Sequence, residues 1–135
     1  MSEILGKMHR WLGLAAVLVF FSTGIVMRLH HLDQLSDDSG LRMLFRSRHI
    51  YMLFSGLLNI AVGLRYLIPA TGRGSRIGVA GSVLLMLSPC LCAAAFYTEP
   101  LTSQHWGSFS RFGVYMAAAG MLFYSLAAWP RKQIQ

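Results

Sequence analysis

The segment IGVAGSVLLMLSPCLCAAAFYT, residues Ile77 to Thr98, decides the fold class. It runs for 22 residues without a charge, and a bilayer core of roughly 30 Å is crossed by about 20 residues of helix. Working outward, Gly72, Arg73, Gly74, Ser75 and Arg76 on its N-terminal side read as a turn. Three more apolar runs of similar length flank it, so four spans are expected at about 11–31, 49–70, 77–98 and 112–130. The expected fold is all-α: one integral membrane four-helix bundle filling residues 1–135, with loops near 32–41, 71–76 and 99–110.

Composition supports lipid as the main solvent. Of 135 residues, 55% are hydrophobic and 13% charged, and the mean hydropathy of +0.51 is too high for an ordinary soluble domain. The net charge of +7 is spread over the ends of apolar runs rather than along a basic stripe, which argues against nucleic acid and fits membrane-flanking Lys and Arg. Lys7 and Arg10 ahead of Trp11 to Met27 resemble the start of a signal peptide, but the cleavage pattern is poor and three apolar segments follow.

Lys7, Arg10, Arg65, Arg73, Arg76, Arg131 and Lys132 fall on one face; Arg28, Arg42, Arg46, Arg48 and Arg111 fall on the other. Seven against five favours both termini in the cytoplasm and an inner-membrane, multi-pass location. Helices in lipid pack through small residues and polar bridges. Ser55, Asn59 and Gly63, then Gly78 and Ser82, then Gly113, Ala117, Met121 and Ser125 recur at four-residue spacing and are expected to face the bundle interior. Pro89 lies inside the third span, where it frees a backbone carbonyl and favours a kink.

Few residues carry chemistry. Asn59 falls mid-span and should bond to another helix. His30, His31, Arg46, Arg48, His49, Glu99, His105 and Arg111 all reach one membrane face by alternating crossings. His49, with His30, His31 or His105, would suit a b-type haem or a divalent metal, although no spacing is a ligand signature. Glu99 is expected to stay charged beside Arg46, Arg48 or Arg111. His9, next to Arg10 and Trp11, reads as an interfacial anchor, separated from His49 by the bilayer thickness. Met43, Met52, Cys90 and Cys92 raise Cu(I), but methionine also fills apolar cores, and two cysteines one residue apart on a helix point in different directions. Nothing forms a nucleophile elbow or a carboxylate pair, so an enzyme is not expected.

Met8-His9-Arg10-Trp11-Leu12-Gly13-Leu14, closing with Thr23-Gly24, resembles the first membrane helix of the PepSY-associated transmembrane proteins. Some of these are haem-containing reductases, and the large periplasmic insertion of that family is absent here. Arg48-His49-Ile50-Tyr51, Asn59, Gly63 and Phe96-Tyr97-Thr98-Glu99-Pro100 are similar to small four-helix bacterial membrane proteins of no assigned function; that resemblance implies a four-helix fold. The expected role is an accessory or assembly subunit that meets lipid and other membrane subunits or its own copies. A haem or metal protein and a small carrier, with Asn59 on its path, are the alternatives.

Overall fold

The computed structural model describes residues 2–29, 39–66, 73–99 and 107–128. They form four helices, α1 Ser2–Leu29, α2 Ser39–Leu64, α3 Arg73–Thr98 and α4 Ser108–Ala128, with no strand among the described residues. Each helix starts before its apolar run, because charged residues sustain the backbone ladder as well as apolar ones. Glu3 and Lys7, for instance, pair across one turn at 2.7 Å. Of the turn expected at 72–76, Arg73 onward is helical, and Gly72 lies outside the described residues.

Two of the helices are long and apolar enough to cross a membrane: Glu3–Leu29 and Ser75–Thr98, each with mean hydropathy 2.0. The other two are less apolar for visible reasons. α2 carries Arg42, Arg46, Arg48, His49 and Asn59; α4 is shorter and mixes Arg111 with serine, tyrosine and glycine.

The helices associate as two hairpins. α1 packs on α2 and α3 on α4, the hairpins meet chiefly through α2 and α3, and α1 and α4 do not touch among the described residues. Glycines set the closeness of each pair. A Cβ on Gly13 would lie 2.7 Å from the Gly56 carbonyl oxygen, and one on Gly63 would lie 2.8 Å from that of Gly6. In the second hairpin a Cβ on Gly81 would meet the Gly120 oxygen at 2.8 Å. These backbones are in contact, which is how small residues hold helices together when side-chain burial supplies little.

Interior positions follow alternating steps of three and four. On α1 the sheltered stripe is Gly6, His9, Gly13, Ala16, Phe20, Thr23; on α4 it is Ser110, Gly113, Ala117, Gly120, Tyr124, Ala127. The strict four-residue stripe expected on α4 is therefore corrected. Gly113 and Ala117 are buried, but Met121 and Ser125 are exposed, because four-residue steps drift off a face that averages 3.5 to 3.6 residues per turn.

Candidate functional site

The most elaborate polar arrangement lies inside the α1–α2–α3 contact. α3 contains Pro89, which has no N–H, so the carbonyl four residues back, on Leu85, loses its helical donor. Asn59 supplies the replacement from α2: its Nδ2 donates to the Leu85 oxygen at 2.8 Å and to the Ser55 oxygen of its own helix at 2.9 Å. Two acceptors on the amide nitrogen fix the orientation of the side chain, leaving Oδ1 facing His9 Nδ1 at 2.7 Å. The sequence expectation that Asn59 bonds another helix is met twice, on α1 and on α3.

The amide fixes the imidazole in turn. Asn59 Oδ1 can only accept, so His9 Nδ1 carries a proton and donates. In the neutral ring Nε2 is then an acceptor, and its neighbour is Ser82 Oγ at 3.1 Å. Ser82 uses its one hydrogen on His9 and receives one from Tyr66, whose hydroxyl lies 2.9 Å away. The chain therefore has one direction throughout: Tyr66 to Ser82 to His9 to Asn59 to the Leu85 carbonyl. His9, Asn59 and Ser82 are each wholly buried.

The reading of His9 as an interfacial anchor is thereby corrected. Trp11, two positions on, is 73% exposed, while His9 shares the face of Gly6 and Gly13 and is pulled inward by Asn59. The signal was present in the sequence as the spacing Gly6, His9, Gly13, Ala16; proximity to Arg10 and Trp11 masked it.

A second polar cluster closes the opposite end of the bundle. The Glu99 carboxylate, one residue past α3, accepts from Arg48 Nε at 2.6 Å and from the Ser110 backbone N–H at 2.9 Å, and the Ser110 hydroxyl also donates to it. Glu99 thus satisfies an orphan donor in the first turn of α4 and places a negative charge at that helix N-terminus. Arg48 Nη1 donates to the Leu44 carbonyl at 3.3 Å. A side chain at Gly107 would coincide with the Glu99 carboxyl group, so only glycine fits there. Burial alone would raise the Glu99 pKa, but the Ser110 hydroxyl and backbone N–H and the Arg48 guanidinium outweigh it and hold the carboxyl below its usual range. Of the three arginines expected near Glu99, Arg48 pairs with it.

His49 lies between these clusters and the end of α1. Its ring stacks on Phe20 with centroids 4.0 Å apart, and Phe96 is tilted against it at 5.8 Å. Thr23 Oγ1 lies 2.8 and 3.0 Å from the carbonyls of Val19 and Phe20 and 3.2 Å from His49 Nδ1. With the Thr23 hydrogen on those carbonyls, Nδ1 is the protonated ring nitrogen and Nε2 the bare one; with it on Nδ1, the tautomer is the reverse. Nε2 lies over Gly24, where a Cβ would approach it to 3.3 Å.

His30, His31 and His105 lie outside the described residues. Among those described, no group of three or more His, Cys, Asp or Glu side chains is placed to hold a metal ion. Cys92 is buried and Cys90 exposed. Met52 and Cys92 pack with Phe96 in an apolar cluster that also takes in Phe20 and Met27, as core fillers do.

The fold and this interior define a class: an all-α chain of paired helices that buries linked polar side chains among apolar ones and leaves many large apolar side chains exposed. No protein-family model, curated protein or solved structure matches the chain.

Proposed function

We propose that the chain is a multi-pass inner-membrane protein, all four helices spanning the bilayer with both termini cytoplasmic, and that it serves as a non-enzymatic accessory subunit of a larger membrane assembly. The observation that carries this reading is the inverted distribution of polarity. Leu18, Phe21 and Ile25 on α1, Phe54 and Leu57 on α2, Leu87 on α3 and Phe112, Leu122 and Leu126 on α4 are exposed, whereas His9, Arg48, Asn59, Ser82, Ser88 and Glu99 are buried. Water would penalise so continuous an apolar exterior; lipid favours it and in return demands that polar groups be satisfied inside.

An accessory role needs small residues left over on the outside after the bundle is packed. Ala15 and Ser22 on α1, and Ala118 and Ser125 on α4, are exposed pairs seven residues apart, a spacing that lets another helix approach closely. Protein extracted from its own membranes in mild detergent is expected to migrate as an assembly larger than a single chain. Ala118→Leu with Ser125→Leu should release it to the monomer while its helix content is unchanged, the melting temperature falling only by the stabilisation that assembly supplied. A wild-type chain that runs as a monomer from the outset would overturn the accessory role.

A b-type haem or metal-binding role has one observation in its favour: Thr23 Oγ1 stands 3.2 Å from His49 Nδ1, where ligating imidazoles have an outer partner, while Nε2 turns toward Gly24. His49 would supply one axial ligand, and a haem would bring electron transfer. His9 does not fit this role, since both its nitrogens are engaged. An absorption spectrum of the purified protein, oxidised and then reduced, decides it. A Soret band lost in His49→Ala supports a haem, and a featureless spectrum without stoichiometric metal removes both cofactors.

A further inference from the structure

We propose that His9 is a proton-binding site inside the bundle, loaded and unloaded through Ser82 and Tyr66. This goes beyond the accessory reading and stands or falls separately from it. An ionisable side chain in the interior of a membrane bundle needs a reason, and packing alone would be served by any group that fills the space. What sets His9 apart is that the hydrogen-bond partners of both ring nitrogens can serve either protonation state without moving a heavy atom, although burial works against the charged form.

In the neutral state the hydrogens run from Tyr66 to Ser82 to Nε2, as derived above. A hydronium ion delivering a proton to the Tyr66 oxygen lets the phenol pass its own hydrogen to Ser82, and Ser82 pass its own to Nε2. The imidazolium then donates through Nε2 to Ser82 Oγ, and Ser82 donates back to Tyr66. Both hydroxyls end neutral with their directions reversed, and one proton has moved from water to His9. Asn59 Oδ1 accepts from Nδ1–H in both states, because the Leu85 and Ser55 carbonyls prevent the amide from turning. Hydroxyl rotors reverse at little cost, and a chain of this kind is cooperative.

The groups facing His9 leave it to titrate on its own. On its own helix Lys7 pairs with Glu3 at the surface, and Arg10 lays its stem along Gly63. α2 contributes Asn59 and Tyr66, whose ring lies 5.8 Å from the imidazole. α3 contributes Ser82. α4 brings Tyr124 near the site, 5.9 Å from Tyr66 and donating its hydroxyl to the Arg65 carbonyl. No carboxylate among the described residues faces the ring to hold it permanently charged. Tyr66, just past the end of α2 and half-buried, is the outermost member of the chain.

The test is nitrogen NMR of the full chain with labelled histidine, in lipid nanodiscs, titrated from about pH 8 to about pH 4, with His9→Gln identifying the signal. The expected starting state is the tautomer with Nδ1 protonated and Nε2 bare. Acidification should convert it to the imidazolium while the backbone spectrum persists. Ser82→Ala and Tyr66→Phe should each abolish proton exchange between Nε2 and water, and the two variants guard against one of them failing to fold. A His9 that stays neutral until the bundle unfolds would overturn the proposal, as would exchange unchanged in both folded variants.

Discussion

Glu99 is held by three donors from two other helices, and its carboxyl pKa is lowered accordingly. A group whose folded-state pKa lies below its unfolded value stabilises the fold at pH above the ordinary carboxylate range, and that stabilisation is lost as pH falls through the depressed value. Melting temperature in detergent should therefore hold steady down to the carboxylate range and fall below it, and Glu99→Gln should flatten this acid limb while lowering the plateau. Arg48→Ala is expected to cost about 3–5 kcal/mol, because it leaves a carboxylate buried without its cation. A variant that melts like the wild type would show that the pair is water-screened and contributes little. At this scale the sequence was legible in part. Asn59 announces itself because an amide amid Leu and Ile has to find a partner, and Glu99 because it ends an uncharged run. His9 was legible only through its spacing with Gly6, Gly13 and Ala16, which the neighbouring Arg10 and Trp11 mask, since they make it resemble an interfacial anchor. The pairing of Asn59 with the carbonyl freed by Pro89 was hidden too, because it depends on the relative height of two helices.

Helix pairing depends on a few glycines at which two backbones touch. Gly13 against Gly56 and Gly81 against Gly120 occupy equivalent places in the two hairpins. Enlarging Gly13 to leucine would drive a side chain into the Gly56 carbonyl and the Ile60 side chain and should destabilise the bundle by about 1–3 kcal/mol, the usual cost of overpacking. Leucine at Ala118, on the exposed face of the same kind of helix, should lower the melting temperature only by the stabilisation that assembly supplied. A Gly13→Leu variant as stable as the wild type or more so would mean that the close approach is not felt there, since leucine is the better helix former. The existence of four helices followed from the lengths of the apolar runs. Their true ends did not, because hydropathy marks where a helix is apolar and not where its hydrogen bonding stops. The direction each face turns also needed the three-and-four rhythm read over the whole helix, as Met121 and Ser125 demonstrate.

For the whole molecule the central claim is that lipid, not water, surrounds the outward side chains. α1 and α3 have the length and hydropathy to cross a membrane; α2 and α4 are expected to cross with them because Arg48, Asn59 and Ser110 are drawn inward to Glu99, His9 and the Leu85 carbonyl, while the exposed Arg46 and Arg111 lie toward the N-terminal ends of their helices, where a cation reaches the headgroups. Cys90 tests this most directly, since it is exposed within the apolar part of α3, about two turns before its end, while Cys92 is buried. The measurement is labelling of Cys90 by a charged, water-borne maleimide in a Cys92→Ser background, using vesicles made leaky to the reagent, with exposed Ser108→Cys at the start of α4 as the reference. The account predicts that the reference position labels at once and that Cys90 stays unlabelled until detergent dissolves the bilayer. Labelling of Cys90 at the same rate as the reference in intact bilayers would contradict it.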